Sequence, residues 1–346
     1  MPAVARPDNA NPKPRRTASI GDVARVAQVS IATVSRVINN PTLVAPATRA
    51  RVLDAVRQLG YQPNPIARAL MTNKSRIIGV ALPDIAGEFY SEILRGAEDE
   101  ARAVGQRLLI ASGSRGETDA DVHTALPYTL IDGLAVMITE PNDSLWKESI
   151  GSGVPVCVLD AHIDSDHVDN IVIDNHRAAT EATRHLLRRS DPEDCCFVGG
   201  AESNFDSKER AAGFAAALAE AGAPARTDQI VFGNYTSDWG RQWATSMLGG
   251  PGLKGRAVLA GNDDIALGIL FAARDAGLLP PDDFTVVGFD NTRLCTIVRP
   301  HLSSVRAPLR EMGAAAIRML LARAQDPARS SQRLELQAEL VVRETS

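Results

Sequence analysis

The sequence predicts a small all-α head joined to an α/β body of two doubly wound parallel-sheet lobes. Three observations carry that prediction. Charge is divided along the chain: residues 1–76 hold twelve Lys/Arg and three Asp/Glu, whereas the remainder holds 25 and 39. Apolar residues recur at helical spacing from Ser19 to Leu59. Beyond Arg76, short apolar runs alternate with amphipathic stretches, the pattern of repeated βαβ units. At 346 residues, 45% of them hydrophobic and 4% aromatic, the chain is long enough for two or three domains with substantial cores.

Composition also excludes classes. No apolar run approaches the roughly 18 residues of a membrane helix, and "MPAVARPDNANPKPRR" lacks the apolar stretch of a signal peptide, so the expected location is the cytoplasm, with no membrane partner. Cys157, Cys195, Cys196 and Cys295 have no CxxC spacing and read as small buried hydrophobes. His162 and His167 share the loop "LDAHIDSDHVDN" with several aspartates, but no helix or strand fixes a ligand spacing there, and no metal is expected. The six histidines form no HExxH, no GxSxG elbow occurs, and "CFVGGAE" is not a GxGxxG turn. Nothing points to catalysis or to a cofactor.

Residues 1–18 read as a disordered basic tail, rich in Pro, Asn and Arg. Ser19 followed by Asp22 forms a variant capping box, which starts a helix over Ile20–Ala27 with Val23, Ala24, Val26 and Ala27 on its apolar face. After the brief Gln28–Val29 connection, Ser30 caps a second helix from Ile31 to Ile38, whose Val34, Val37 and Ile38 face the first. Two short helices joined so tightly make a helix-turn-helix, and the local basic excess favours double-stranded DNA as its partner. Ile31 and Ala32 sit where thymine methyls are read, Arg36 reaches guanine or phosphate, and Thr33 and Ser35 offer hydroxyls to phosphates. With Ser30 and Asn39 they form the expected DNA-facing set. A third helix runs from Pro46 to Leu59, with Val52, Val56 and Leu59 on one stripe and Gly60 as its stop.

In the body, "IIGVALPD", "RLLIAS", "GLAVMIT" and "VPVCVLD" read as parallel strands, with helices near 88–104, 117–129 and 143–151 between them. A second series is expected in "IVIDN", "CCFVGG", "QIVFG", "RAVLAGND" and "FTVVGFD". Ligands of such sheets gather at the carboxyl ends of the strands, where Asp84, Asp160, Asp263 and Asp290 stand.

The stretches "DVARVAQVSIATVSRVIN", "GYQPNPIARAL", "PDIAGEFYSEILRGAEDEA" and "VVGFDN" make the chain resemble transcriptional regulators of the LacI/GalR family over about Ser19 to Glu344. The resemblance implies a DNA-binding domain over 19–64, a hinge helix and linker over 65–75, and a periplasmic-binding-protein-like effector and dimerisation domain over 76–346. It also implies lobe crossovers near 161–165, 290–294 and 323–330, so that lobe one takes about 76–162 and 292–325, and lobe two 163–291 and 326–346. In the family a leucine at the position of Leu70, flanked here by Arg68, wedges into the minor groove at the operator centre. Matched motif by motif, the effector contacts are Asp84 and Phe89, then Arg210, Tyr235, Asp263 and Asp290, with Asp160 added from its place at a strand end. Acids, an arginine and aromatic rings suit a sugar, which offers hydroxyl donors and an apolar C–H face.

Three departures qualify the match. Ala45 replaces the usual serine cap, Gly87 stands where sugar-binding members often carry Asn, and Ala161 stands where many carry Arg. The loss of two cleft donors makes Arg210 a candidate partner for the carboxylate of an acidic sugar. The expectation is a repressor that binds a pseudo-palindromic operator as a homodimer and responds to a sugar or sugar acid; the C-terminus has no leucine heptad to build a tetramer. A sugar-binding receptor without specific DNA recognition is the competing class.

Overall fold

A computed structural model describes residues 18–62, 74–112, 128–139, 151 and 153–346. The chain divides into two compact units at Ser75 and Arg76. In the first unit, α1 (Ile20–Ala27) starts with a reciprocal cap: Asp22 N donates to Ser19 Oγ while Ser19 N donates to the Asp22 carboxylate. Gln28 ends the helix in left-handed backbone at φ 54°. Thr33 N donates to Ser30 Oγ at the start of α2 (Ile31–Asn39). α3 (Pro46–Leu59) has no side-chain cap at Ala45; Pro46, lacking an N–H, leaves one donor fewer to satisfy there. Val23, Ala24, Ala27, Val34, Val37, Val52 and Ala55 close the core between the three helices.

The second unit contains two six-stranded sheets. The first comprises β1 (Ile77–Leu82), β2 (Arg107–Ser112), β3 (Gly133–Met137), β4 (Val156–Leu159), β5 (Val168–Ile173) and β11 (Arg333–Leu336) in the order β2-β1-β3-β4-β5-β11. The second comprises β6 (Cys195–Val198), β7 (Ile230–Val231), β8 (Ala257–Ala260), β9 (Thr285–Asp290), β10 (Ser303–Arg306) and β12 (Glu339–Val341) in the order β7-β6-β8-β9-β10-β12. Among the described strands only β12 runs antiparallel to its neighbour. Each sheet repeats the same doubly wound order, which reverses between its first and third strands and so opens a crevice at their carboxyl ends.

Helices α4 (Glu88–Ala103) and α10 (Leu309–Gln325) cover the first sheet; α5 (Asn175–Leu186) and α6 (Phe205–Glu220) pack together on one face of the second, and α7 (Ser237–Leu248) and α8 (Asp263–Asp275) on its other face, with the short α9 (Leu294–Ile297) following β9. Gly96 and Gly313 let α4 and α10 touch backbone to backbone: a Cβ on either would lie 1.9 Å from a carbonyl oxygen of the other helix. Helices expected near 117–129 and 143–151 fall almost entirely outside the described residues.

The lobe boundaries differ from those expected. "IVIDN" does not open the second lobe; β5 pairs with β4 and belongs to the first sheet, so the chain crosses after Ile173 rather than near 161–165. The second crossing follows Arg306 rather than 290–294, because β10 pairs with β9. The third lies between Leu336 and Glu339, not at 323–330, and it splits "RLELQAELVVRET" between the sheets as β11 and β12. Arg323 anchors this return: with Arg329 it grips the fully buried Asp169 carboxylate beside β5, and Gln332 N donates to the same group.

Candidate functional site

The second helix of the head, α2, carries the side chains expected to meet DNA, and they differ in exposure. Val34 and Val37 turn inward, while Ala32 and Arg36 are exposed and Ile31 keeps 54% of its surface in water. An aliphatic side chain so exposed on the first turn is suited to contact thymine methyls. Ser30 and Thr33 are less free: their hydroxyls lie 2.9 Å apart and share the helix cap. Ser35 is half-buried. Arg68, Leu70 and the side chain of Asn39 lie outside the described residues.

In the second unit the crevice is built on Arg210, which is almost fully buried on α6. Its Nε donates to Asn175 Oδ1 at 2.8 Å, Nη1 to the Gly261 carbonyl at 2.5 Å, and Nη2 to Asp206 Oδ2 at 3.3 Å. The Phe289 ring lies against the guanidinium at 3.7 Å, a cation–π contact. Asp290, at the end of β9, places Oδ1 3.9 Å from Nη2. From the other lobe, Asp160 follows β4 and joins the same electrostatic cluster. Both aspartates hold left-handed backbone, φ 61° at Asp160 and φ 96° at Asp290, conformations that non-glycine residues adopt at a cost and that gather at functional sites. Their Oδ1 atoms are buried and accept no hydrogen bond.

Electrostatics follow from that burial. Desolvation raises Asp160 well above the ordinary carboxylate range; Asp206 and Asp290 add to the rise and Arg210 opposes it. Burial likewise pushes Asp290 up to about 7 against the pull of Arg210, and raises Asp206. Tyr235 is held over Gly200, where a Cβ would meet its ring at 2.3 Å, and its hydroxyl donates to Asn204 Oδ1 at 3.1 Å. Burial raises the Tyr235 phenol, keeping it a neutral donor.

Three of the expected contacts have partners within the protein. Asp263 Oδ1 accepts from Ser304 Oγ, and Oδ2 from Thr292 N and Thr292 Oγ1, so it pins the β9–β10 connection inside its own lobe. Asp84 turns Oδ1 back onto Ile85 N and Ala86 N, shaping its loop. Phe89 is half-buried, edge-on to Tyr90 with ring centroids 5.1 Å apart, and packs on the core. Conversely, Asp206, Asn175 and Phe289 belong to the site although the sequence reading omits them. Of these, Asp206 leaves a signal, since it precedes Arg210 by one helical turn in "FDSKER". Among the described residues no group of His, Cys, Asp and Glu is arranged to hold a metal, and no helix is long and apolar enough to cross a membrane.

A helix-turn-helix and a two-lobed α/β body with a polar interlobe crevice together define a regulator that reads DNA with one unit and carries a small-molecule-binding fold in the other. Residues 19–64 match the profile of bacterial regulatory proteins of the lacI family, and residues 177–346 that of the periplasmic binding protein-like domain. Catabolite control protein A of Priestia megaterium is 38% identical over 306 residues, 87% of this chain and 91% of the relative. The HTH-type transcriptional repressor PurR of Vibrio parahaemolyticus is 34% identical over 334 residues, 95% and 98% of the two chains. The lac repressor dimer bound to operator and the anti-inducer ONPF superposes with a TM-score of 0.84 at 26% identity, covering 95% of this chain and 99% of that one. For the transcriptional regulator CelR–cellobiose complex the values are 0.72 and 27%, over 95% and 100%. The chain belongs to the lacI family and is a DNA-binding transcriptional repressor rather than an enzyme.

Proposed function

We propose that this repressor binds a pseudo-palindromic operator as a homodimer and that a small sugar-type effector, held between its lobes, changes its operator affinity. The observation that carries the effector reading is the convergence of Asp160 from one lobe and Asp290 from the other on Arg210, each with a buried oxygen lacking a partner. Ligand hydroxyls would satisfy both oxygens, and because the two lie on different lobes, their occupation would bear on lobe closure. Relatives support the same assignment: the CelR complex contains cellobiose, and the lac repressor dimer holds operator. On DNA, each α2 would present Ile31, Ala32 and Arg36 to one half-site, and Leu70 would wedge at the centre with Arg68 beside it.

Selection of duplexes from a random pool by the purified chain tests the DNA half directly. An enriched inverted repeat is expected; no enrichment with or without added sugars would overturn it. Fluorescence anisotropy of the selected duplex, titrated with sugars, then tests the coupling.

A further inference from the structure

The crevice is rich in acceptors and poor in free donors. Asp160, Asp206 and Asp290 bring three carboxylates to a single guanidinium. All three nitrogens of Arg210 already donate within the protein, to Asn175, Gly261 and Asp206, and Phe289 covers one of its faces. Asp206 is itself held from both sides, since its Oδ1 accepts from Asn175 Nδ2 at 2.9 Å. The arrangement is therefore preformed, while Asp160 Oδ1 and Asp290 Oδ1 still require donors.

Each ligand class meets this surface differently. A carboxylate or phosphate would enter beside three acids and meet a guanidinium with three of its five N–H groups already engaged, which rules out a free fork for bidentate pairing. A neutral polyol supplies donors but no charge against which the buried acids could ionise. A polyol carrying a protonated amine supplies both donors and charge. We propose that the ligand of this crevice is a polyhydroxylated amine of the amino-sugar type, and that Asp206 selects it by occupying the guanidinium edge and adding a third carboxyl group that a cation can pair with. The inference rests on the crevice being the effector site, and it reverses the expectation that Arg210 receives an acidic sugar.

Calorimetric titration of the full chain at pH 7 with two matched sets decides the matter: glucose, glucosamine and glucuronate, then galactose, galactosamine and galacturonate. In at least one set the amine should bind about tenfold tighter than the neutral sugar, the scale of one partly screened charge interaction, and the uronate weakest. Asp206→Ser should shrink the amine preference and strengthen uronate binding relative to the parent chain. Tightest binding by a neutral sugar or a uronate, or binding by no member, overturns the proposal, and the ordering in the unaltered chain stands whether or not the variant folds. Asp160→Asn and Asp290→Asn separate this from the underlying reading. If they leave amine binding unchanged, the ligand sits elsewhere and the effector-site reading fails; if they alter a preferred uronate, the crevice is the site and only the amine assignment falls.

Discussion

Asp290→Asn tests the electrostatics of the crevice without any ligand. The carboxyl ends β9, its side chain is 6% exposed, and burial pushes it up to about 7 despite Arg210. An unfolded aspartate titrates near 3.9. Between those values the folded chain keeps a proton that the unfolded chain has released, so stability falls as pH rises through that window. The full separation is worth about 4 kcal/mol, of which about 2–3 kcal/mol is lost between pH 5 and pH 8. Urea midpoints of the parent and variant chains at pH 5, 6, 7 and 8 give the comparison, in which Asp206 titrates in both proteins. The variant should gain about 2–3 kcal/mol relative to the parent on going from pH 5 to pH 8. Parallel curves would show that Asp290 ionises as an ordinary surface aspartate, and the picture of a partnerless buried carboxylate would be wrong.

Three further outcomes are expected. Arg36→Ala should weaken operator binding and make the logarithmic salt dependence shallower by about one unit, read by anisotropy at several salt concentrations; an unchanged slope would exclude a phosphate contact. Leu70→Ala should reduce specific binding far more than binding to random duplex, because it removes a wedge and no charge; equal loss on both would refute the hinge role. Asp263→Ala should lower stability by about 2–4 kcal/mol in urea, since three donors lose their buried acceptor, and a variant as stable as the parent but unable to bind ligand would restore Asp263 to the effector site.

The head is legible in the sequence because its information is local. Ser19 and Asp22 cap each other three residues apart, Ser30 caps α2, and the valines that fill the core recur at helical spacing. The strands are legible for the same reason, but their sheet membership is not. "IVIDN" carries the same apolar run in either lobe, and what places β5 is its pairing with β4 and β11 together with the Asp169–Arg323 contact 154 residues apart. "SSVR" is too short and polar to announce β10, yet its Ser304 takes the Asp263 carboxylate from 41 residues away. Arg210 is recognisable from its motif, whereas its engagement by Asn175 and the Gly261 carbonyl depends on elements brought together only by the fold.

A ligand can change operator affinity only through a difference in its own affinity for the DNA-competent and DNA-incompetent arrangements. The crevice supplies a physical source for such a difference. Glu88 Oε2 accepts from Arg293 N at 2.7 Å, and the Thr139 carbonyl from Asn204 Nδ2 at 3.4 Å, so direct contacts already join the lobes around the cluster. Asp206 and Asp290 on one lobe add to the rise that burial gives the proton affinity of Asp160 on the other, so ionised carboxylates would repel across the gap. A donor-rich ligand that engages both sides relieves that repulsion only while the lobes are closed, and its binding energy becomes closure energy. Asp160→Asn removes the first lobe's share of the repulsion, so the ligand should bind more weakly and its effect on operator affinity should shrink by the same factor as the operator's effect on the ligand. Titrating ligand with and without operator, in parent and variant, closes that cycle; a variant with weakened ligand binding but undiminished coupling would place the allosteric lever outside the crevice.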